Sequence, residues 1–79
     1  EMVDGIPVAR VLRTRHGAPG ALVQLADGRL AATGEGLVAV GGPRQLLRYA
    51  RERIRQAADE QSRSWWQEVA GVASQSAVV

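Results

Sequence analysis

The chain has 79 residues, a formal net charge of +2, one histidine and no cysteine. These values exclude a disulfide framework and a thiolate metal site, and they leave a histidine metal site without a second imidazole. The sequence shows neither a signal peptide nor an apolar stretch long enough to span a membrane. We therefore expect one cytoplasmic domain with no membrane partner.

The basic residues are all arginine, and lysine and asparagine are absent. Together with abundant Ala, Gly and Val, this composition indicates a gene from a high-GC bacterium or phage. Residues 43–79 carry the whole excess of positive charge. The apolar residues are mainly Ala, Val and Leu, which predict a thin core. A thin core in so short a chain favours a homo-oligomer or a protein partner.

Four segments predict an antiparallel β-meander of three to four strands. Residues 6–14 are rich in β-branched and apolar side chains, and a Gly- and Pro-containing turn follows at 15–20. The next strands are predicted at 21–26, 29–33 and 37–41, each bounded by glycine. The expected fold class is therefore α+β, with the sheet in the N-terminal half.

Turn chemistry predicts how these strands pair. Asp27-Gly28 is a signal for a two-residue hairpin loop, which places Leu25 opposite Leu30. Residues 34–36 then form a three-residue connection to the last strand. The two registers together predict one shared apolar face, made of Val23, Leu25, Leu30, Ala32, Val38 and Val40.

An amphipathic helix is predicted over residues 43–62, because Pro43 suits a first helical position and apolar residues recur at steps of three and four. Its predicted stripe is Leu47, Ala50, Ile54, Ala58, Gln61 and Trp65. The expected core combines Leu30, Val38, Val40, Leu47, Ile54 and Trp65.

The end of the helical segment allows two interpretations. Ser64 followed by Gln67 resembles a capping box, so a second helix over 64–71 fits the pattern as well as one long bent helix does. Gly71 is expected to end the helical segment. Residues 1–71 are then a single domain, and residues 72–79 a flexible C-terminal tail.

An arginine row is the clearest candidate for an interface. At about 100° per residue, Arg44, Arg48, Arg51 and Arg55 share one narrow sector of the helix, next to the predicted apolar stripe. Trp66 falls in the same sector if the helix is unbroken, and Trp is enriched among binding hot spots. The alternatives are a solvated arginine face and a helix break that places both tryptophans in the core.

No motif indicates catalysis. His16 lies in a turn without a neighbouring carboxylate, and the adjacent pair Asp59-Glu60 is expected on a solvated helix face. Gly41-Gly42 before Pro43 is expected only to leave the sheet and start the helix, because no Walker or dinucleotide pattern surrounds it. We expect no enzyme activity, cofactor, metal site or small-molecule substrate.

These patterns predict a non-enzymatic protein–protein interaction or regulatory module that acts as a dimer or docked on a partner. One alternative is a small nucleic-acid-binding protein that uses the arginine row. A second alternative is a structural subunit of a phage particle or a larger assembly.

Overall fold

The computed structural model describes residues 1–77. Five antiparallel strands form one sheet in which each strand pairs with its neighbours in sequence. Two helices follow, so the predicted α+β meander is confirmed, with one strand more than expected. The elements are β1 (Met2–Val3), β2 (Ile6–Thr14), β3 (Ala21–Leu25), β4 (Leu30–Gly34), β5 (Leu37–Gly41), α1 (Pro43–Gln56) and α2 (Glu60–Ala77).

The additional strand, β1, comes from a turn that the sequence prediction overlooked. Asp4 and Gly5 have φ angles of 52° and 77°, and Val3 pairs with Ile6 across them. Two consecutive positive φ values are what a type I′ hairpin turn requires. An Asp-Gly pair therefore does form a two-residue hairpin in this chain, but at its N-terminus.

Leu25 lies opposite Arg29, and residues 26–28 form a three-residue loop between them, so the predicted pairing of Leu25 with Leu30 is wrong. The N–H of Leu25 donates to the carbonyl of Arg29 at 2.8 Å, and the N–H of Gly28 donates to the carbonyl of Leu25 at 3.0 Å. Asp27 accepts a hydrogen bond from the N–H of Arg29, and only Gly28 has a positive φ. A turn followed by one left-handed glycine is the usual three-residue hairpin.

The loop between β4 and β5 has two residues, not the predicted three. Glu35 and Gly36 have φ angles of 52° and 75°, and Gly34 pairs directly with Leu37. Both predicted registers are therefore displaced by one residue. Because side chains alternate along a strand, such a slip exchanges the two faces of a strand.

The exchange divides the predicted apolar face into two clusters. On the helix side of the sheet, the buried strand residues are Leu22, Leu30 and Ala32. On the other side Val23, Leu25 and Ala31 are buried, and the partly buried side chains of Val3, Ile6, Val8, Ala21 and Val40 pack on them. Two register irregularities in β2 accompany this arrangement, and such bulges bend a strand.

The predicted core is only partly correct. Leu30 and Trp65 are buried, whereas Val40, Leu47 and Ile54 are half-buried. Val38 is 60% exposed, so its assignment to the core is wrong.

The helical segment breaks earlier than either interpretation placed it. The carboxylate of Asp59 accepts a hydrogen bond from the N–H of Ser62 at 2.8 Å and so caps the start of α2. The expected helix boundary at Ser64 is therefore wrong, and Asp59 is exposed as expected but precedes α2 instead of lying on a helix face. Helix α2 continues past Gly71 to Ala77, with Ala73 buried, so residues 72–77 are helical instead of a tail. The rest of the predicted tail, residues 78–79, lies outside the described residues.

Helices α1 and α2 pack against each other and form a layer on one side of the sheet. Helix α1 begins at Pro43, where the side chain of Gln45 accepts a hydrogen bond from the N–H of Gly42 at 2.9 Å. Its most deeply buried residues are Leu46 and Ala50, both in contact with the core. The centre of the buried side thus lies at Leu46 and not at the predicted Leu47.

Candidate functional site

Trp66 is fully buried, with 0% of its surface exposed. Its ring makes an edge-on contact with Tyr49 at 5.6 Å between centroids and lies 6.2 Å from the ring of Trp65. The prediction that Trp66 anchors an interface from an exposed surface is therefore wrong. Both tryptophans belong to the core, because α2 begins at Glu60 and presents positions 65 and 66 on either side of its buried centre line.

The indole of Trp66 is held by a carboxylate from the β4–β5 turn. Its Nε1–H donates to Oε1 of Glu35 at 2.8 Å. Arg15 pairs with Oε2 of the same carboxylate, and Arg53 of α1 lies 3.5 Å from Oε1. The neighbouring Trp65 donates its Nε1–H to the carbonyl of Thr33 at 3.1 Å. One turn is thereby tied to the loop after β2 and to both helices.

The cluster of Glu35, Arg15, Arg53 and Trp66 has an excess of positive charge, because two guanidinium groups share one carboxylate. Burial alone raises the pKa of Glu35, but hydrogen bonds from Trp66 and Arg15 and the charge of Arg15 outweigh burial and lower it. The side chain of Arg15 is only 6% exposed, and that of Arg53 lies 6.0 Å above the ring of Trp66. The Nε atoms of both arginines are buried without a hydrogen-bond partner within residues 1–77. Arg15 is therefore enclosed by the fold, whereas the side chain of Arg53 keeps 23% of its surface exposed.

The predicted arginine row lies on the outer side of α1. Arg44, Arg48, Arg51 and Arg55 are all exposed. At about 100° per residue they point about 140° to 180° away from Leu46, which faces the core. The row is therefore opposite the buried side of the helix, and the expectation that it borders the apolar stripe is wrong.

Strand β5 forms an open edge of the sheet. Within residues 1–77 it is hydrogen-bonded only to β4, and Leu37 and Val38 are 40% and 60% exposed. In a two-residue hairpin the two residues next to the loop, here Gly34 and Leu37, form a hydrogen-bonded pair. Further along the strands, pairs without mutual hydrogen bonds alternate with hydrogen-bonded pairs. The N–H and C=O groups of Val38 and Val40 consequently point away from β4. No backbone hydrogen bond joins them to another part of residues 1–77.

A groove of about 380 Å³ runs beside this edge. Strand β5 forms one wall through its residues 38–40, and α1 forms the other through Gln45, Leu46 and Tyr49. Unpaired backbone groups next to such a groove are the elements that an added β-strand uses for binding. The edge of β5 is therefore a surface, within residues 1–77, that is suited to contact another polypeptide.

A second, smaller pocket of about 280 Å³ lies between the 15–20 loop and α2. His16, Ser64 and Glu68 are among the residues that line it. No hydrogen bond connects these three side chains among the described residues, and Glu68 instead faces Arg13 at 3.6 Å. The arrangement supplies no paired nucleophile and base.

Sequence reasoning missed the two most distinctive features of the structure. The open edge of β5 could have been found, because the last strand of a meander necessarily ends the sheet. The role of Glu35 left no comparable signal, since its partners Arg15, Arg53 and Trp66 are 18 to 31 residues away in sequence.

Neither helix within residues 1–77 is long and apolar enough to cross a membrane. In the same part of the chain, no group of three or more His, Asp or Glu side chains could hold a metal ion. Comparison of the chain with protein-family models, with curated proteins and with solved structures finds no match.

Proposed function

We propose that this chain is a non-enzymatic interaction module that forms a homodimer by antiparallel pairing of β5 with β5 of a second copy. The observation that supports this proposal is the open edge of β5. Val38 and Val40 leave their outward N–H and C=O groups without a partner in residues 1–77. Proteins commonly protect such edges with charges, prolines or bulges, and β5 contains none of them.

The edge is self-complementary. Val38 and Val40 lie symmetrically on either side of Ala39. A two-fold axis at Ala39 therefore places Val38 opposite Val40 of the second copy, and Val40 opposite its Val38. Both pairs then have their hydrogen-bonding groups facing each other, as an antiparallel ladder requires. A two-fold interface of this kind is the commonest form of protein oligomer.

A second copy of β5 is also compatible with the edge in charge and in hydrophobicity. Strand β5 has the sequence Leu-Val-Ala-Val-Gly, so pairing two copies brings no like charges together. Leu37 and Val38 are exposed in the single chain and lose contact with water when the edge is covered. An uncharged strand of another protein is a less suitable partner, because a second copy of β5 necessarily has outward hydrogen-bonding groups at the same spacing as this edge.

The energies indicate a weak, reversible dimer. Four backbone hydrogen bonds contribute about 2–6 kcal/mol in total. Association costs about 4–15 kcal/mol in lost translational and rotational freedom. Burial of Leu37, Val38 and the groove beside Tyr49 must supply the remainder, so dissociation in the micromolar range is expected.

Sedimentation equilibrium at several protein concentrations tests this proposal with Val38→Pro. Proline removes the outward N–H of residue 38 and places a ring at the interface. The monomer loses no sheet hydrogen bond, since the N–H of Val38 does not point to β4 and its side chain is exposed. Val38→Thr is the matched control, because it keeps the N–H and the β-branched shape.

The wild type and Val38→Thr are expected to reach twice the mass of the chain as concentration rises, whereas Val38→Pro stays monomeric. A circular dichroism spectrum shared by all three proteins verifies that the fold is retained. A monomeric wild type, or a Val38→Pro variant that dimerises as well as the wild type, refutes the proposed interface. Large or ring-shaped assemblies favour a structural subunit instead.

A further inference from the structure

The outer face of α1 is unusual in its charge. Six of the ten arginines in the chain form ion pairs with carboxylates. Among the described residues, the four that do not are Arg10, which donates to Gln24 at 3.1 Å, and three members of the α1 row, Arg44, Arg48 and Arg51. The guanidinium groups without a carboxylate are thus concentrated on one surface.

This surface consists entirely of polar side chains. The exposed residues of α1 are Arg44, Gln45, Arg48, Arg51, Arg55 and Gln56. The half-buried Glu52 forms an ion pair with Arg55 at the end of the row. The other three arginines of the row do not pair with Glu52. An interfacial membrane helix requires an exposed apolar face, and α1 buries its apolar side against the sheet and α2.

The proposed dimer brings two such surfaces together. The two-fold axis of an antiparallel edge pairing is perpendicular to the sheet, so the same face of both sheets points in the same direction. Helix α1 packs on that face in each copy, with its arginines directed away from the sheet. The two arginine rows therefore lie on one side of the dimer and run in opposite directions.

We propose, on the basis of the proposed dimer, that the paired α1 rows bind the phosphate backbone of double-stranded nucleic acid. A run of unpaired guanidinium groups along a helix matches a regular series of phosphates, which arginine binds through two parallel hydrogen bonds. The two antiparallel rows match the two antiparallel strands of a duplex. Contacts of this kind position a protein without reading the base sequence.

Fluorescence anisotropy with a labelled DNA duplex of about 24 base pairs tests the inference over a range of salt concentrations. The wild type is expected to bind with little sequence preference and to lose about 10³-fold in affinity between about 50 mM and about 200 mM salt. The double variant Arg48→Gln/Arg51→Gln should bind at least about tenfold more weakly, with a shallower salt dependence. It should still dimerise, because both residues are exposed on the side of α1 opposite the buried Leu46.

The matched control is Arg10→Gln/Arg29→Gln, which removes the same charge from exposed positions outside the helices. It should bind DNA almost as tightly as the wild type. Val38→Pro should bind more weakly than the wild type and with about half of its salt dependence, because a monomer presents only one row.

The experiments distinguish a wrong nucleic-acid partner from a wrong dimer interface. A dimeric protein that does not bind the duplex at low salt, or that binds polyglutamate as its preferred polyanion, refutes the nucleic-acid partner and leaves the interaction module intact. Equal weakening by both double variants indicates net charge alone and refutes the role of the row. The paired arrangement is refuted if the wild type is monomeric and binds the duplex with the same affinity and salt dependence as Val38→Pro.

Discussion

The substitution Glu35→Gln removes the charge at the centre of the cluster that joins the β4–β5 turn to both helices. Glutamine keeps the shape of the side chain and one carbonyl oxygen, which can still accept the hydrogen bond from Trp66 Nε1. What disappears is the negative charge opposite Arg15 and Arg53. The substitution therefore measures the ion pairs with little change in packing.

The expected loss of stability is large for a chain of this size. Removing one partner of a buried ion pair costs about 3–5 kcal/mol, because the other charge stays enclosed. Arg15 is 6% exposed, but Glu35 is 29% exposed and reaches water, which reduces the cost. We therefore expect the free energy of unfolding to fall by about 2–4 kcal/mol at neutral pH.

The same interaction predicts a dependence on pH. The pKa of Glu35 is lowered in the folded chain. Its charge therefore contributes stability that is fully present above the unfolded pKa of about 4.3 and is lost as the pH falls through the folded value. The difference between the wild type and Glu35→Gln should be largest at neutral pH and should shrink under acid. The pKa of Asp27 is also lowered, but Asp27 is present in both proteins and its effect cancels.

Urea denaturation at neutral pH and at about pH 3 measures both effects. Glu68→Gln is the matched control, since Glu68 faces Arg13 at 3.6 Å on the surface and such pairs contribute about 0–1 kcal/mol. A loss for Glu35→Gln no greater than that of the control refutes the importance of the cluster. A loss that is the same at both pH values refutes the assignment of the stability to the charge of Glu35.

Two further predictions concern α2, and both can be measured by thermal or urea denaturation. Gly71→Ala should stabilise the chain by about 0.5–1 kcal/mol, because Gly71 is exposed inside a helix and an added Cβ meets no atom within 4 Å. No change, or a loss, would place position 71 at a helix end. Asp59→Ala should cost about 1 kcal/mol by removing the cap on the N–H of Ser62. Ser64→Ala should cost less, and the opposite order would support the boundary that the sequence predicted.

The sequence by itself determined four of the five strands, the order of sheet and helices, and some of the element bounds. Strand β2 and strand β5 have the predicted ranges, and α1 begins at the predicted Pro43. These features depend on local chemistry: glycine and proline end strands, β-branched residues extend them, and proline fits the first turn of a helix. The exposed arginine row is also a local feature, because it depends only on spacing along one helix.

Only the tertiary structure decided the registers and the positions of the tryptophans. Asp4-Gly5 and Asp27-Gly28 have the same sequence, yet the first forms a two-residue loop and the second belongs to a three-residue loop. Glu35 adopts a positive φ, and its carboxylate is held by Arg15 and Trp66, which are distant in sequence. A non-glycine residue in this conformation is stabilised by its surroundings. Pairing across the sheet and between layers, and not turn propensity, therefore fixed which side of each strand is buried.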